Sequence, residues 1–326
     1  MTIEAEFLPE PLLEFGSGQK AEHPQDGLFL YGPAPTKGSP DVVRVGVGGA
    51  PAGIALAKNW LLKIAGRIPA EVPAKLHTSN WPGFQAAFSA RLDTEPLAAV
   101  AIKPVDIDAS ARKGNRTEAV RGMVKLYEDA IIDHLRNEET RPDVWIAVVP
   151  EVVYDFGRPE VKGLKDAIAS TLMPEKLAKK FLVQGSLFAE MEEEAQTYLF
   201  ARNFHHQLKA QLLDREVVVQ ILRETTIDPT LVLDKFDQPK RAVQETAKIA
   251  WNFSTTLYFK ARGQPWQLAD VRPGVAYVGL VFKQDPSPAA RGEACCAAQM
   301  FLNSGNGVVF RVRLARGIRR RHVSII

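Results

Sequence analysis

The chain has 326 residues, 46% of them hydrophobic and 24% charged, which is the composition of a globular protein able to bury one large core or two modest ones. No apolar run reaches the roughly 18 residues a membrane helix needs, and the start at Met1-Thr2-Ile3-Glu4 is not that of a secretory leader. Net charge is +3, but residues 311–326 hold six arginines and no acid, which leaves 35 basic against 38 acidic residues in the body and makes the overall charge poor evidence for nucleic-acid binding.

Residues 1–40 are rich in Pro and Gly, with apolar patches such as Leu28-Phe29-Leu30-Tyr31, and read as an irregular arm with one or two strands. Residues 42–47 are β-branched, are followed by glycines and read as a buried strand. A helix is predicted over residues 53–68, with Leu56, Trp60, Leu61 and Ile64 on one face. Residues 97–102 read as a second strand and residues 144–149 as a third, closed by Pro150. Between them, residues 117–137 form a long amphipathic pattern in which Val120, Val124, Tyr127, Ile131 and Leu135 keep helical spacing.

Residues 160–180 are less regular, with a short helix expected after Pro174, and residues 181–184 read as a short strand. An acidic run at residues 190–194 leads into a helix ending near Leu213, then a strand at 217–221 and a long helix at 239–259. Strands alternating with helices predict an α/β fold whose mostly parallel sheet is covered on both faces. The two cysteines, Cys295 and Cys296, are adjacent, so no disulfide between them is expected and a reducing, cytoplasmic setting fits. Nothing else has the Cys/His spacing of a metal centre.

Two constellations carry chemistry. Gly46, Gly48, Gly49 and Gly53 follow a strand and open a helix, as in a nucleotide-binding loop whose glycines admit a pyrophosphate. Against this, Pro51 interrupts the turn, and the next strand ends at Ile102-Lys103 with no acid for a ribose. The second constellation is His205 and Lys209, four apart on one helix face, with Gln220 at a strand and Lys248 in the following helix. Two cations, an amide and a titratable imidazole suit a phosphate monoester. On spacing alone, solvated lysines and a packed or capping histidine explain the same residues.

The run Trp251-Asn252-Phe253-Ser254-Thr255-Thr256-Leu257-Tyr258-Phe259-Lys260-Ala261-Arg262-Gly263-Gln264-Pro265-Trp266, continued by Ala276-Tyr277-Val278-Gly279-Leu280-Val281-Phe282, has the build of a helix, a tight turn and a buried strand. It resembles the junction between the MID and PIWI domains of prokaryotic Argonaute proteins. The segments at residues 7–16, 204–210 and 220–226 resemble the short prokaryotic branch of that family, so the resemblance covers residues 1 to about 311. It implies a Rossmann-like MID domain with a parallel sheet, followed by the N-terminal part of a ribonuclease-H-like PIWI domain. The corresponding division is an arm at residues 1–40, MID at 41–262 and partial PIWI at 263–326.

Argonautes hold the 5′-phosphate of a guide strand with an aromatic or His residue, a Lys four later, a Gln about eleven on and a Lys in the next helix. His205, Lys209, Gln220 and Lys248 match that order. His206 competes with His205 but stands three residues before Lys209. Lys260 matches a lysine beside a Gly-Gly turn in the family, where Arg262 replaces the first glycine and Gly263 is expected to take φ > 0. Lys260 either adds charge near the phosphate or simply suits the negative end of its helix, and the second fits its place better. The resemblance allows no cofactor beyond Mg2+ at the guide 5′-phosphate.

Cutting PIWI domains use carboxylates that hold two divalent metals. Val281 stands where the first belongs, and an isopropyl group cannot bind a hard cation. Asp285, the nearest acid, sits in a turn with Pro286 and Pro288. After Arg311 the resemblance ends in an arginine-dense run, expected of a truncated or frame-shifted product, the alternative being a basic tail that grips nucleic acid.

The resemblance thus implies a non-cutting protein of prokaryotic defence that binds a guide RNA or DNA and, through it, complementary target DNA. Its expected partner is an APAZ-containing effector of the TIR or sirtuin-like type. The competing expectations are a nucleotide-binding α/β enzyme using residues 46–53 and a scaffold that binds only a partner protein.

Overall fold

The computed structural model describes residues 10–71, 79–114, 116–158, 180, 203–270, 275–284, 293–302 and 307–311. It opens with β1 (Leu13–Glu14), β2 (Lys20–Ala21) and α1 (Pro24–Tyr31). Pro24 starts α1 with a preset φ and no amide N–H to leave unpaired. Gly32, at φ 73°, ends it by donating its N–H to the Leu28 carbonyl. Leu28-Phe29-Leu30-Tyr31, an apolar patch in a segment read as irregular with strands, is therefore the end of a helix, with Leu28 buried and Phe29 and Leu30 exposed.

Next come β3 (Val42–Val43), β4 (Val45–Gly49), α2 (Pro51–Ala65), α3 (Phe84–Phe88), β5 (Arg91–Leu92) and β6 (Ala98–Ala101). The single strand expected at 42–47 is two, because Arg44 breaks it. The Arg44 N–H donates to Asp143 Oδ2 at 2.7 Å, and its carbonyl accepts from the Asp143 N–H. β3 then pairs in parallel with β5, while β4 joins the main sheet.

The chain continues through α4 (Pro104–Ala111), α5 (Arg116–Asn137), β7 (Val144–Val149), α6 (Glu151–Phe156), α7 (Phe204–Leu213), β8 (Val219–Arg223), α8 (Glu224–Ile227) and α9 (Thr246–Lys260). The main sheet has the order β6-β4-β7-β8, parallel throughout, as the α/β reading requires. All six residues of β7 are buried, because both faces of this strand are covered.

Alternate residues of the strands feed two cores. Val144, Ile146, Val148 and Leu222 pack with α2 and α9, whereas Trp145, Ala147, Val149 and Val219 pack with α5 and α7. Phe15 and Leu28 belong to the first core, and β1 pairs with β9 (Gln267–Leu268), so the described N-terminal residues are tied to it.

The helix expected from residue 239 begins at Thr246. Before it, Asp234 Oδ1 accepts from the N–H groups of Phe236 at 2.7 Å and Gln238 at 3.1 Å, and Lys240 N–H donates to the Val232 carbonyl. Short acidic side chains here outcompete the helix for backbone donors.

A separate antiparallel meander follows: β10 (Ala276–Gln284), β11 (Glu293–Leu302) and β12 (Gly307–Arg311). Val281 pairs with Ala297, and the register shifts between Val281 and Phe282. Asp285, the arginine run after Arg311, the helix after Pro174, the strand at 181–184 and the acidic run at 190–194 lie outside the described residues.

Candidate functional site

Among the described residues β8 is an edge strand of the main sheet, and the two cores meet across it. On one side lies α7, whose first turn is capped by Asn203: its Oδ1 accepts from the His206 N–H at 3.1 Å. Phe204, Leu208 and Leu212 recur every four residues and bury one stripe of α7. That anchoring fixes His205 and Lys209 one residue further round, together on the flank beside β8.

On the other side lies α9, held by Ala247, Ala250, Trp251, Leu257 and Tyr258 in the first core. Its last residue, Lys260, reaches β8. Lys260 Nζ donates to the Val219 carbonyl and to Gln220 Oε1, each at 2.7 Å. The Gln220 amide in turn donates to the Ile221 carbonyl at 3.1 Å.

The turn after α9 differs from expectation. Arg262 takes the left-handed conformation, at φ 70°, and Gly263 does not. Glycine is needed at 263 for closeness, since a Cβ there would stand 2.3 Å from the Tyr258 ring.

Charge concentrates where these elements converge. His205 is exposed as a residue, yet protein crowding its inner side, then the charges of Lys209, His206 and Lys260, lower its pKa from 6.5 to about 4. Burial and then the charge of Lys209 lower Lys260 from 10.5 to about 8. Among the described residues, no carboxylate stands within ion-pair distance of His205, Lys209 or Lys260. The described residues thus hold mutually repelling groups together with no counterion among them, an arrangement an anion would relieve.

Of the residues singled out from the sequence, His205, Lys209, Gln220 and Lys260 come together and Lys248 does not. Lys248 is exposed in the first turn of α9, twelve residues before Lys260. At 1.5 Å per residue that is about 18 Å along the helix. Lys260, and not Lys248, is thus the lysine of α9 bonded to Gln220, which goes beyond merely suiting a helix end. The exposed His206 places its ring 6.1 Å from that of His205, nearly perpendicular to it.

These groups do not fit a protein-held Mg2+ ion. They offer nitrogen donors and cations where that ion needs oxygens, and Gln220 Oε1 is already engaged by Lys260. Among the described residues, no group of three or more His, Cys, Asp or Glu side chains could hold a metal.

Gly46, Gly48 and Gly49 lie inside β4 and do not form a loop. A Cβ at Gly46 would strike the Trp145 ring at 2.7 Å, and one at Gly49 the Val148 carbonyl oxygen at 2.6 Å. At Gly53, in the first turn of α2, the nearest atom to an added Cβ is Glu224 Oε1 at 2.5 Å. A carboxylate thus occupies the helix start a pyrophosphate would need, and these glycines serve packing.

Beyond Gln220, Glu151 and Arg223 form an ion pair that the sequence reading missed, between the first residue of α6 and the last of β8. A pocket of about 380 Å3 is bounded by α6, the start of α7 and Ile221, and Tyr154, Arg158, Asn203, His205 and His206 line it. No helix among the described residues is long and apolar enough to cross a membrane.

No protein-family model matches the chain. No curated protein matches it either. Among solved structures, it is similar to Clostridium butyricum Argonaute bound to a guide DNA and a target DNA, at 12% identity and a TM-score of 0.43, over 98% of this chain and 32% of that one. It is also similar to A. aeolicus Argonaute, at 12% identity and a TM-score of 0.42, over 93% and 30%. Drosophila Piwi gives 12% identity and a TM-score of 0.40, over 94% and 30%. The chain spans about a third of the length of these proteins.

Proposed function

We propose that the chain captures the phosphorylated 5′ end of a guide nucleic acid, as a non-cutting protein of the Argonaute type. The observation that carries this reading is the convergence of His205, Lys209, Gln220 and Lys260 around β8 with no carboxylate in ion-pair range among the described residues. A terminal phosphate supplies two charges and three acceptor oxygens. Lys209 provides a point charge, Lys260 has one N–H beyond the two it has committed, and His205 becomes a donor and a cation once protonated. Contacts to the following phosphates add sequence-independent, salt-sensitive affinity. Base pairing between guide and complementary target DNA then supplies specificity.

Cleavage is left out of this reading because Val281 offers no oxygen to a metal. The output therefore belongs to a second protein, an APAZ-containing effector of TIR or sirtuin-like type, in prokaryotic defence. Filter binding with matched 5′-phosphorylated and 5′-hydroxyl oligonucleotides tests the phosphate site. The phosphorylated strand is expected to bind at least about tenfold more tightly, and Lys209→Ala to abolish that difference. Equal affinity of the intact protein for both ends would sink the reading.

A further inference from the structure

At the other end of β8 from Gln220, two arginines lie over one phenol ring and a third, Arg241, stands within range of its charge. The Arg223 guanidinium lies 3.3 Å from the Tyr154 ring centroid, and that of Arg158 lies 4.5 Å from it. Arg223 is paired with Glu151 through Nε at 2.8 Å and through a second contact from Nη2. Its side chain is only 10% exposed, so this ion pair fills the inner part of the cluster.

Arg241 is held differently. Its Nη1 donates to Thr226 Oγ1 at 3.0 Å and to Thr225 Oγ1 at 3.3 Å. Among the described residues, no carboxylate lies in ion-pair range of it. Thr225 also donates to Glu151, so the same acid that balances Arg223 orients the hydroxyl that steers Arg241. Among the described residues, three guanidiniums therefore share one carboxylate, and the charge of Arg241 is the one left over. Burial and then the charge of Arg223 press its pKa downward.

Hydroxyl partners fix the direction of a guanidinium without neutralising it. That is how a planar fork is kept ready for two oxygens of a phosphate. The cluster adjoins the site already described through Tyr154 and Arg158, which line the same pocket as His205 and His206. It is also separate, because Gln220 and Arg223 stand three residue steps apart along the strand, about 10 Å and more than one phosphate spans.

We propose that Arg241, positioned by Thr225 and Thr226, is a second anion subsite that binds an internal phosphodiester of the strand whose end is held at Lys209 and Lys260. The proposal rests on the terminal-phosphate reading for its geometry, but its test reads a different quantity.

Binding is measured for a mononucleotide 5′-monophosphate, a 5′-phosphorylated trinucleotide and a longer oligonucleotide, the last with either a phosphate or a hydroxyl at its 5′ end. Arg241→Gln, which keeps an amide donor for the threonines, is expected to weaken both longer ligands about tenfold and to leave the mononucleotide within about twofold. It should also make the salt dependence of oligonucleotide binding shallower by about 0.7 in log–log slope, the amount for one single-strand phosphate. Arg241→Lys should retain most of the affinity and the full slope. Thr226→Val should lose affinity at unchanged slope, because it removes orientation and not charge.

Equal loss on the mononucleotide would overturn the proposal by placing Arg241 on the terminal group. An unchanged affinity and slope would overturn it by making Arg241 a structural cation. The loss caused by Arg241→Gln should appear with the 5′-hydroxyl oligonucleotide too. If Lys209→Ala proves silent while that loss persists, it is the terminal-phosphate reading that fails.

Discussion

At the scale of single residues, the site is most informative in what it lacks. His205, with a pKa of about 4, is neutral at pH 7 in the free protein and gains a charge only if a ligand draws a proton onto it. A phosphate dianion beside the ring raises that pKa, so binding should take up a proton. The free protein carries the opposite sign. Because His205 is held below its unfolded value of 6.5, the unfolded chain binds more protons between about pH 6.5 and about pH 4, and stability falls as pH falls through that window. Lys260, held at about 8, carries its cost in full below about pH 8 and loses it as pH rises toward 10.5. The phosphate itself loses charge below its second pKa of about 6, which weakens binding for every variant alike. The contrast between intact protein and His205→Gln isolates the residue. Their difference in affinity for a 5′-phosphorylated strand should widen several-fold between about pH 7.5 and about pH 5.5. A constant gap across that range would mean that His205 takes up no proton.

At the scale of elements, α9 decides which lysine serves the site. The helix presents Lys248 near its start and Lys260 at its end, and only the end returns to β8. Lys248→Ala should accordingly leave 5′-phosphate affinity within about twofold, whereas Lys260→Met should cost at least about tenfold on the phosphorylated strand and little on the hydroxyl one. The reverse ranking would put the phosphate at the other end of the helix.

The sequence could not separate these lysines, since each sits plausibly on a helix and the choice depends on which end packs against a strand forty residues earlier. Local patterns were legible where they decide the structure: β7 and α5 fall within a residue of expectation because their apolar runs and periodicity are unbroken. The break at Arg44 and the late start of α9 were not legible. The first depends on Asp143, ninety-nine residues away, and the second on side chains that cap a turn. Asn203 before α7 is a cap signal readable from sequence, since its residue type suits the position.

At the scale of the molecule, a body with slightly more acids than bases gathers a cationic cluster at β8, where helices from both cores meet, with no described carboxylate in ion-pair range. On the proposed function, such a design separates holding a strand from cutting it. Holding needs only fixed cations and donors, which α7, β8 and α9 supply. Cutting by two metals needs converging carboxylates, and on the proposed function the first would stand at Val281, which pairs with Ala297 and offers no oxygen. The protein loaded with a 5′-phosphorylated guide should therefore retain a complementary labelled target without shortening it, in Mg2+ or in Mn2+, as read on a denaturing gel. A product of defined length that disappears with a chelator, and persists after Lys209→Ala only in proportion to the guide still bound, would show that another acid has taken the place of the missing one. Its absence alongside tight, phosphate-dependent retention would leave recognition as the activity of this chain, and would place any destruction of nucleic acid or cofactor in a partner.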